Sequence, residues 1–309
     1  MTRRLQLAAL LLTLTCRPAA PRASDTGLWD AHTHLSWYGP AALDSLLAYG
    51  VTSVRDCGGD AVQLKQWRDE IAAGKRRGPH IYFAGPQLDG PKTPMTHRVA
   101  VLTPAEAVRA VDSLADLGVD FIKTHNAIPR AAYFAVLREA RRRGLKVASH
   151  LAVGIPAWEA ADSGASSLEH AAESIVVSPM YAGYVKDLDG ALRWWRTPAG
   201  DSAIAHLART GVAVTPTLVA YHYWIADSRS PAESIGRTRV YELQEELTLR
   251  LHRAGVPILV GSDFAETTWG PHPGKGVLEE MDLLVHAGLT RQEALAAATT
   301  NPRKWMTGR

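Results

Sequence analysis

The 309-residue chain has a formal charge of +3, but Arg3, Arg4, Arg17 and Arg22, four of its 34 basic residues, fall within the first 23 positions, where no acid occurs. Beyond that stretch 30 basic residues face 31 acidic ones, a balance that gives no support to a nucleic-acid partner. Of the two cysteines only Cys57 lies past the stretch, so an internal disulfide is excluded and the fold must rest on its core.

The N-terminus runs from Arg3-Arg4 through LQLAALLLTLT to CRPAAPRAS, the charged, apolar and cleavable parts of a secretory signal over residues 1–23. The apolar run is too short to span a bilayer, and no later segment reaches about 18 uninterrupted apolar residues. An exported, periplasmic or extracellular protein without a transmembrane segment is expected. Thr13 stands where a lipid-attachment site at Cys16 would carry an aliphatic residue, so lipid anchoring is not expected.

From residue 27 short β-branched runs alternate with helical stretches. The strand candidates are GLWDAHTH, VTSVRD, HIYFAG, VDFIKTH, LKVASHL, SSLEHA, VAVTPTLVAY and VPILVGSD. Between them, TPAEAVRAVDSLADLG predicts a helix with Thr103 as N-cap, Pro104 in its first turn, Glu106 closing a capping box and Gly118 at its end. SPAESIG and LTRQEAL open further helices in the same way. Eight strands alternating with helices predict an α/β chain folded as one (β/α)8 barrel over residues 27–309, in preference to an open doubly wound sheet. The long irregular stretches, PQLDGPKTPMTHRVAV among them, follow strands, which is the side where barrel enzymes keep their chemistry.

DAHTHL places His32 and His34 two residues apart on a strand, so both project to one face. His150 ends the fifth strand, His170 the sixth and Asp263 the eighth, which brings four histidines and a carboxylate to one barrel mouth. His80, His206, His252 and His286 fall instead on helices or strand starts. Convergence of that kind predicts a divalent metal, with zinc the default for imidazole and carboxylate ligands.

The set DAHTHL, DFIKTH, VASHL, SLEH, VGSDF and LTRQEALAAATTNPRK, with GVTSVRDCGG, resembles the metal-dependent amidohydrolase superfamily, in the branch of the imidazolonepropionases and Xaa-Pro dipeptidases (prolidases). The resemblance implies His32, His34, His150, His170 and Asp263 as metal ligands, and Lys123 as a bridging ligand once carbon dioxide has carboxylated it, with one or two ions per chain. An ammonium about 5 Å from a divalent ion, at an effective dielectric of about 20, would be repelled by roughly 6 to 7 kcal/mol, so Lys123 there must be neutral or modified. The other reading of Lys123 is an ordinary ion pair at the rim.

The implied activity is hydrolysis of an amide, peptide or cyclic amide C–N bond in a small-molecule substrate by metal-activated hydroxide, with Asp263 as proton shuttle. Asp263 as a ligand alone is the competing role. The same site suits esters, lactones or phosphotriesters, and a truncated, non-catalytic metal-binding protein is a further alternative. Arg193 and Arg196 are candidates to hold a substrate carboxylate, Tyr221 and His222 to donate to an oxyanion, and His125 to ligate or touch substrate. Trp37, Tyr38, Trp194, Trp195, the run Tyr221 to Trp224 and Trp269 are candidate pocket walls, and Cys57 a packing residue. The small β-sandwich of many relatives is expected to be missing, which would leave a face open to self-association as a homo-oligomer.

Overall fold

The structure is a computed structural model that describes residues 27–91, 97–170, 188–266 and 270–308; the leader expected over 1–23 and Trp269 lie outside them. In chain order the elements are β1 (Leu28–Thr33), α1 (Leu35–Tyr38), α2 (Ala41–Ala48), β2 (Val51–Asp56), α3 (Ala61–Ala72), β3 (His80–Phe83), β4 (Gln87–Asp89) and β5 (Arg98–Ala100). There follow α4 (Pro104–Leu117), β6 (Phe121–Thr124), α5 (Arg130–Arg142), β7 (Lys146–Ser149), α6 (Ala157–Ser163), β8 (Ser167–Glu169), α7 (Leu188–Trp195) and α8 (Pro198–Thr210). The last elements are β9 (Ala213–Thr215), α9 (Leu218–Ala226), α10 (Pro231–Arg253), α11 (Lys275–His286), α12 (Arg291–Ala297) and α13 (Thr300–Thr307).

The helix signals act as their chemistry requires. Thr103 accepts from the Glu106 amide and Glu106 answers at the N-cap, while Gly118 closes α4 at φ 87°, a left-handed turn that glycine adopts without a Cβ penalty. Ser230 caps α10, and Thr290 forms a second capping box with Glu293 at α12. Each satisfies amides that the first turn of a helix leaves without partners.

All strand pairs are parallel, in two sheets ordered β1-β2-β3 and β5-β4-β6-β7-β8-β9. These strands are buried along nearly their whole length, polar and charged residues included. Val54, Ile81, Ile122, Val147, Leu168 and Val214 join the large core shared with the helices. A smaller cluster, Ala31, Cys57, Ala84, Phe121, Ala148, Ala213 and Leu259, gathers with Trp305. Trp305 of α13 donates its indole N–H to Ser166 O at 2.8 Å and packs edge-on against Phe121, plugging this interior.

The architecture is TIM-barrel-like, but the ladder is not closed. Three sequence expectations change. The stretch 256–263, read as an eighth strand, forms only an isolated bridge, Ile258 to Val214, and Phe264 just beyond it forms a second, to Thr33. It is still held from both sides, since Leu259 N donates to Val214 O at 2.8 Å and Ala31 N donates to Val260 O at 2.8 Å. The stretch after the third strand, read as irregular, contains β4 and β5, and β4 carries the sheet on to β6 through Leu88 and Thr124. VAVTPTLVAY is strand only through Thr215; after Pro216, Thr217 turns left-handed and Leu218 begins α9.

Candidate active site

The carboxyl ends of β1, β6, β7 and β8 and the 256–263 segment bring five of the expected ligands to one mouth, with Lys123 beside them. His32 Nε2 lies 3.5 Å, and His34 Nε2 3.2 Å, from Asp263 Oδ1, and His170 Nδ1 lies 3.8 Å from Asp263 Oδ2. One ligand atom each from His32, His170 and Asp263 falls within 4.8 Å of the others, a spacing that suits a single cation. His150 flanks the trio, its ring centroid 4.9 Å from that of His170.

Backbone geometry sets this arrangement. Among the described residues only His97, His170, Thr217 and Asp263 have positive φ without being glycine, and all four surround the mouth. Such conformations cost of order 1–3 kcal/mol each and persist where the surroundings over-determine them. Thr217 shows how: its hydroxyl lies 2.8 Å from His170 Nδ1, and the amide two residues on donates to buried Glu280 at 2.7 Å. Gly261 passes so close to β1 that a Cβ there would stand 2.7 Å from the His32 Cβ, so glycine alone leaves His32 its place.

Electrostatics differ sharply among these neighbours. Burial, aided by the Lys123 charge, pushes His32 down to about 4, and burial with its histidine neighbours holds His150 and His170 well below the ordinary imidazole range. Burial also opposes a charge on His34, but the Asp263 hydrogen bond and charge outweigh it and the net shift is upward. Asp263 is desolvated, yet the histidines around it hold its carboxyl far below its usual value. The neutral forms of His32, His150 and His170 and the ionised carboxylate of Asp263 are the protonation states a metal requires, while His34 is shifted the other way.

Among the buried polar atoms without a hydrogen-bond partner are His32 Nε2 and Lys123 Nζ at the mouth. An unmet buried polar atom is costly, and here the two point to a partner other than protein. Burial lowers the pKa of Lys123 against the pull of Glu169, Cys57 and Asp263, which favours the neutral amine.

The remaining expectations divide. His125 lies at the site, its ring 4.6 Å from that of His150 and its Nδ1 3.2 Å from Asp89, beside Arg98. Tyr221 is buried with its ring 6.4 Å from His170, and Trp37 stacks on His34 at 4.6 Å. His222, on the other side of α9, is exposed and stacks on Tyr241 of α10. Arg196 is exposed and paired with Glu246 at 2.6 Å, and Arg193 is exposed in the last turn of α7. Of the Trp pair, Trp195 enters the core and Trp194 stacks on Trp158. Cys57 is buried, and burial pushes its thiol up to about 12, as a packing residue allows.

Sequence reasoning passed over the charged groups beneath the histidines. Arg55 and Glu169 are almost fully buried and paired at 2.8 Å, and Glu169 reaches His32 Nδ1 at 2.8 Å. Asp56 takes the amides of Leu35 and Gly58 at 2.6 and 3.1 Å, and Asp30 takes the Ser262 amide and hydroxyl at 2.9 and 2.5 Å. Burial lifts these two carboxyls to about 6 and about 7. The available signal was a charge inside an apolar strand, the RD of VTSVRD and the E of SLEH.

No protein-family model matches the sequence, and no curated protein does. Solved structures do match. A protein assigned as a prolidase from Bifidobacterium longum is 27% identical over 91% of this chain and 69% of its own, with a TM-score of 0.68. Bottromycin amidohydrolase is 24% identical over 91% and 67%, at 0.70, and a Xaa-Pro dipeptidase with methionine bound in its active site is 20% identical over 91% and 75%, at 0.68.

Proposed function

We propose that this chain, whose fold is similar to prolidase, amidohydrolase and Xaa-Pro dipeptidase structures, is a metal-dependent hydrolase of the amidohydrolase superfamily that cleaves a C–N bond in a dipeptide, an N-acyl amino acid or a cyclic amide. The observation that carries this reading is the meeting of His32, His170 and Asp263 donor atoms within 4.8 Å beside an unpartnered imidazole nitrogen. A bound divalent cation, zinc by preference, supplies Lewis-acid chemistry and lowers the pKa of water. His32, His34, His150, His170 and Asp263 are the residues to hold it. Lys123 as a carbamate is the group to bridge a second ion, a role its burial and unmet Nζ favour.

Within this reading Asp263 does the proton work. Its carboxylate stays ionised among the imidazoles and is able to accept a proton from the attacking water and return it to the leaving amine. His125 and Tyr221 are the groups at hand for substrate oxygens, and Trp37 forms an apolar wall. Export is part of this reading and rests on the leader sequence alone. No helix among the described residues is long and apolar enough to cross a membrane.

The test is metal analysis of the purified protein followed by a pooled screen of dipeptides, X-Pro members included, and N-acyl amino acids. Bound metal with hydrolysis of at least one panel member is expected. Bound metal with no turnover of any member would shift the assignment to a metal-binding scaffold.

A further inference from the structure

Glu169 is fully buried, and its oxygens are fully engaged by protein groups. Arg55 Nη2 donates to both at 2.8 Å, Ser167 Oγ donates to Oε1 at 2.6 Å, and His32 Nδ1 lies 2.8 Å from Oε2. Arg55 is equally committed: Nε donates to Ala31 O at 2.5 Å, Nη1 to Ser167 Oγ at 3.0 Å and Nη2 also to Thr215 Oγ1 at 3.0 Å, with the guanidinium carbon 4.4 Å from the Trp305 ring. His32, Cys57 and Glu169 also bring donor atoms within 4.8 Å of one another, but with Glu169 so occupied they form no separate cation site.

We propose that Glu169, anchored by Arg55, is a positioning residue that fixes His32 as the Nδ1–H tautomer and aims its Nε2 into the mouth, an assignment that rests on the metal-site reading above. A carboxylate already bonded to a guanidinium and a hydroxyl can only accept from the imidazole, so the proton sits on Nδ1 and the lone pair on Nε2. Nε2 is the atom left without a hydrogen-bond partner. Outer carboxylates that hold a ligand histidine set its ring orientation and basicity, and their loss typically costs about 10–100-fold in metal affinity.

Nitrogen NMR of the metal-free, 15N-histidine-labelled protein reads the tautomer directly, with His32 assigned by the signals lost in His32→Gln. The Nδ1–H form is expected, and the Nε2–H form would overturn the proposal even if every Glu169 variant failed to fold. In Glu169→Gln, zinc affinity by chelator competition should fall about 10–100-fold, while folding is followed separately by thermal unfolding without metal. Wild-type affinity in that variant overturns the positioning role. Absence of zinc uptake by the wild type, with the Nδ1–H form observed, removes the metal-site reading and the cation half of the proposal while supporting ring fixation.

Discussion

The barrel interior holds charged and polar groups in two ways within a few residues of each other. Below, Arg55 and Glu169 meet Ser167, Thr215, Ala31 O and His32 Nδ1, so the charges are compensated in place. Above, Lys123 Nζ and His32 Nε2 find no hydrogen-bond partner, and His170, Thr217 and Asp263 hold left-handed backbone. His32 and Lys123 are as buried as Arg55 and Glu169, and the penalty for an unmet polar atom is the same in each region. The difference teaches that the lower network completes the fold, whereas the upper group is arranged for something the fold does not contain.

The largest expected effect breaks the upper region alone. Asp263→Asn should lower turnover by about 10²–10⁴-fold with bound metal retained, measured by steady-state kinetics beside metal analysis. Unchanged turnover would leave Asp263 a ligand only. The lower region should respond in stability instead: Arg55→Met strips Glu169 of its buried cation and should cost about 3–5 kcal/mol in denaturant unfolding. A cost within experimental error would mean the pair is not the compensated unit described.

A pH-dependent effect sharpens the boundary between the regions. Glu280 of α11 accepts the Val219 amide at the start of α9, and burial raises its carboxyl from 4.5 to about 8. Between those values the folded chain keeps a proton the unfolded chain has lost. Its contribution is therefore complete below pH 4.5 and declines as pH rises, by up to about 1.4 kcal/mol per pH unit, until it levels above the folded value. Glu280→Gln should flatten that slope in unfolding free energies measured from pH 5 to pH 8; an unaltered slope would place the titration elsewhere.

How much of this was legible in the sequence depended on the range of the signal. Helix caps are local, and Thr103, Glu106 and Gly118 announce α4 within sixteen positions. The convergence of residues at the mouth was legible because chemistry recurs at strand ends, as with His32, His150 and His170. The Arg55–Glu169 pair spans 114 positions, and no local pattern links the two. Arg196 invited a substrate role for the same reason, since its partner Glu246 lies 50 positions away. Strand limits failed where backbone chemistry overrode composition: the strand-like run TLV turns helical after Pro216, and β4 and β5 are three-residue strands in a loop of mixed composition.

The central claim is that the mouth is built around a divalent cation. Anomalous diffraction at the zinc edge from zinc-loaded crystals tests it most directly. A peak about 2.0–2.2 Å from His32 Nε2 and from an oxygen of Asp263 is predicted. A fully loaded crystal with no peak there, or with zinc only among surface residues, would contradict it.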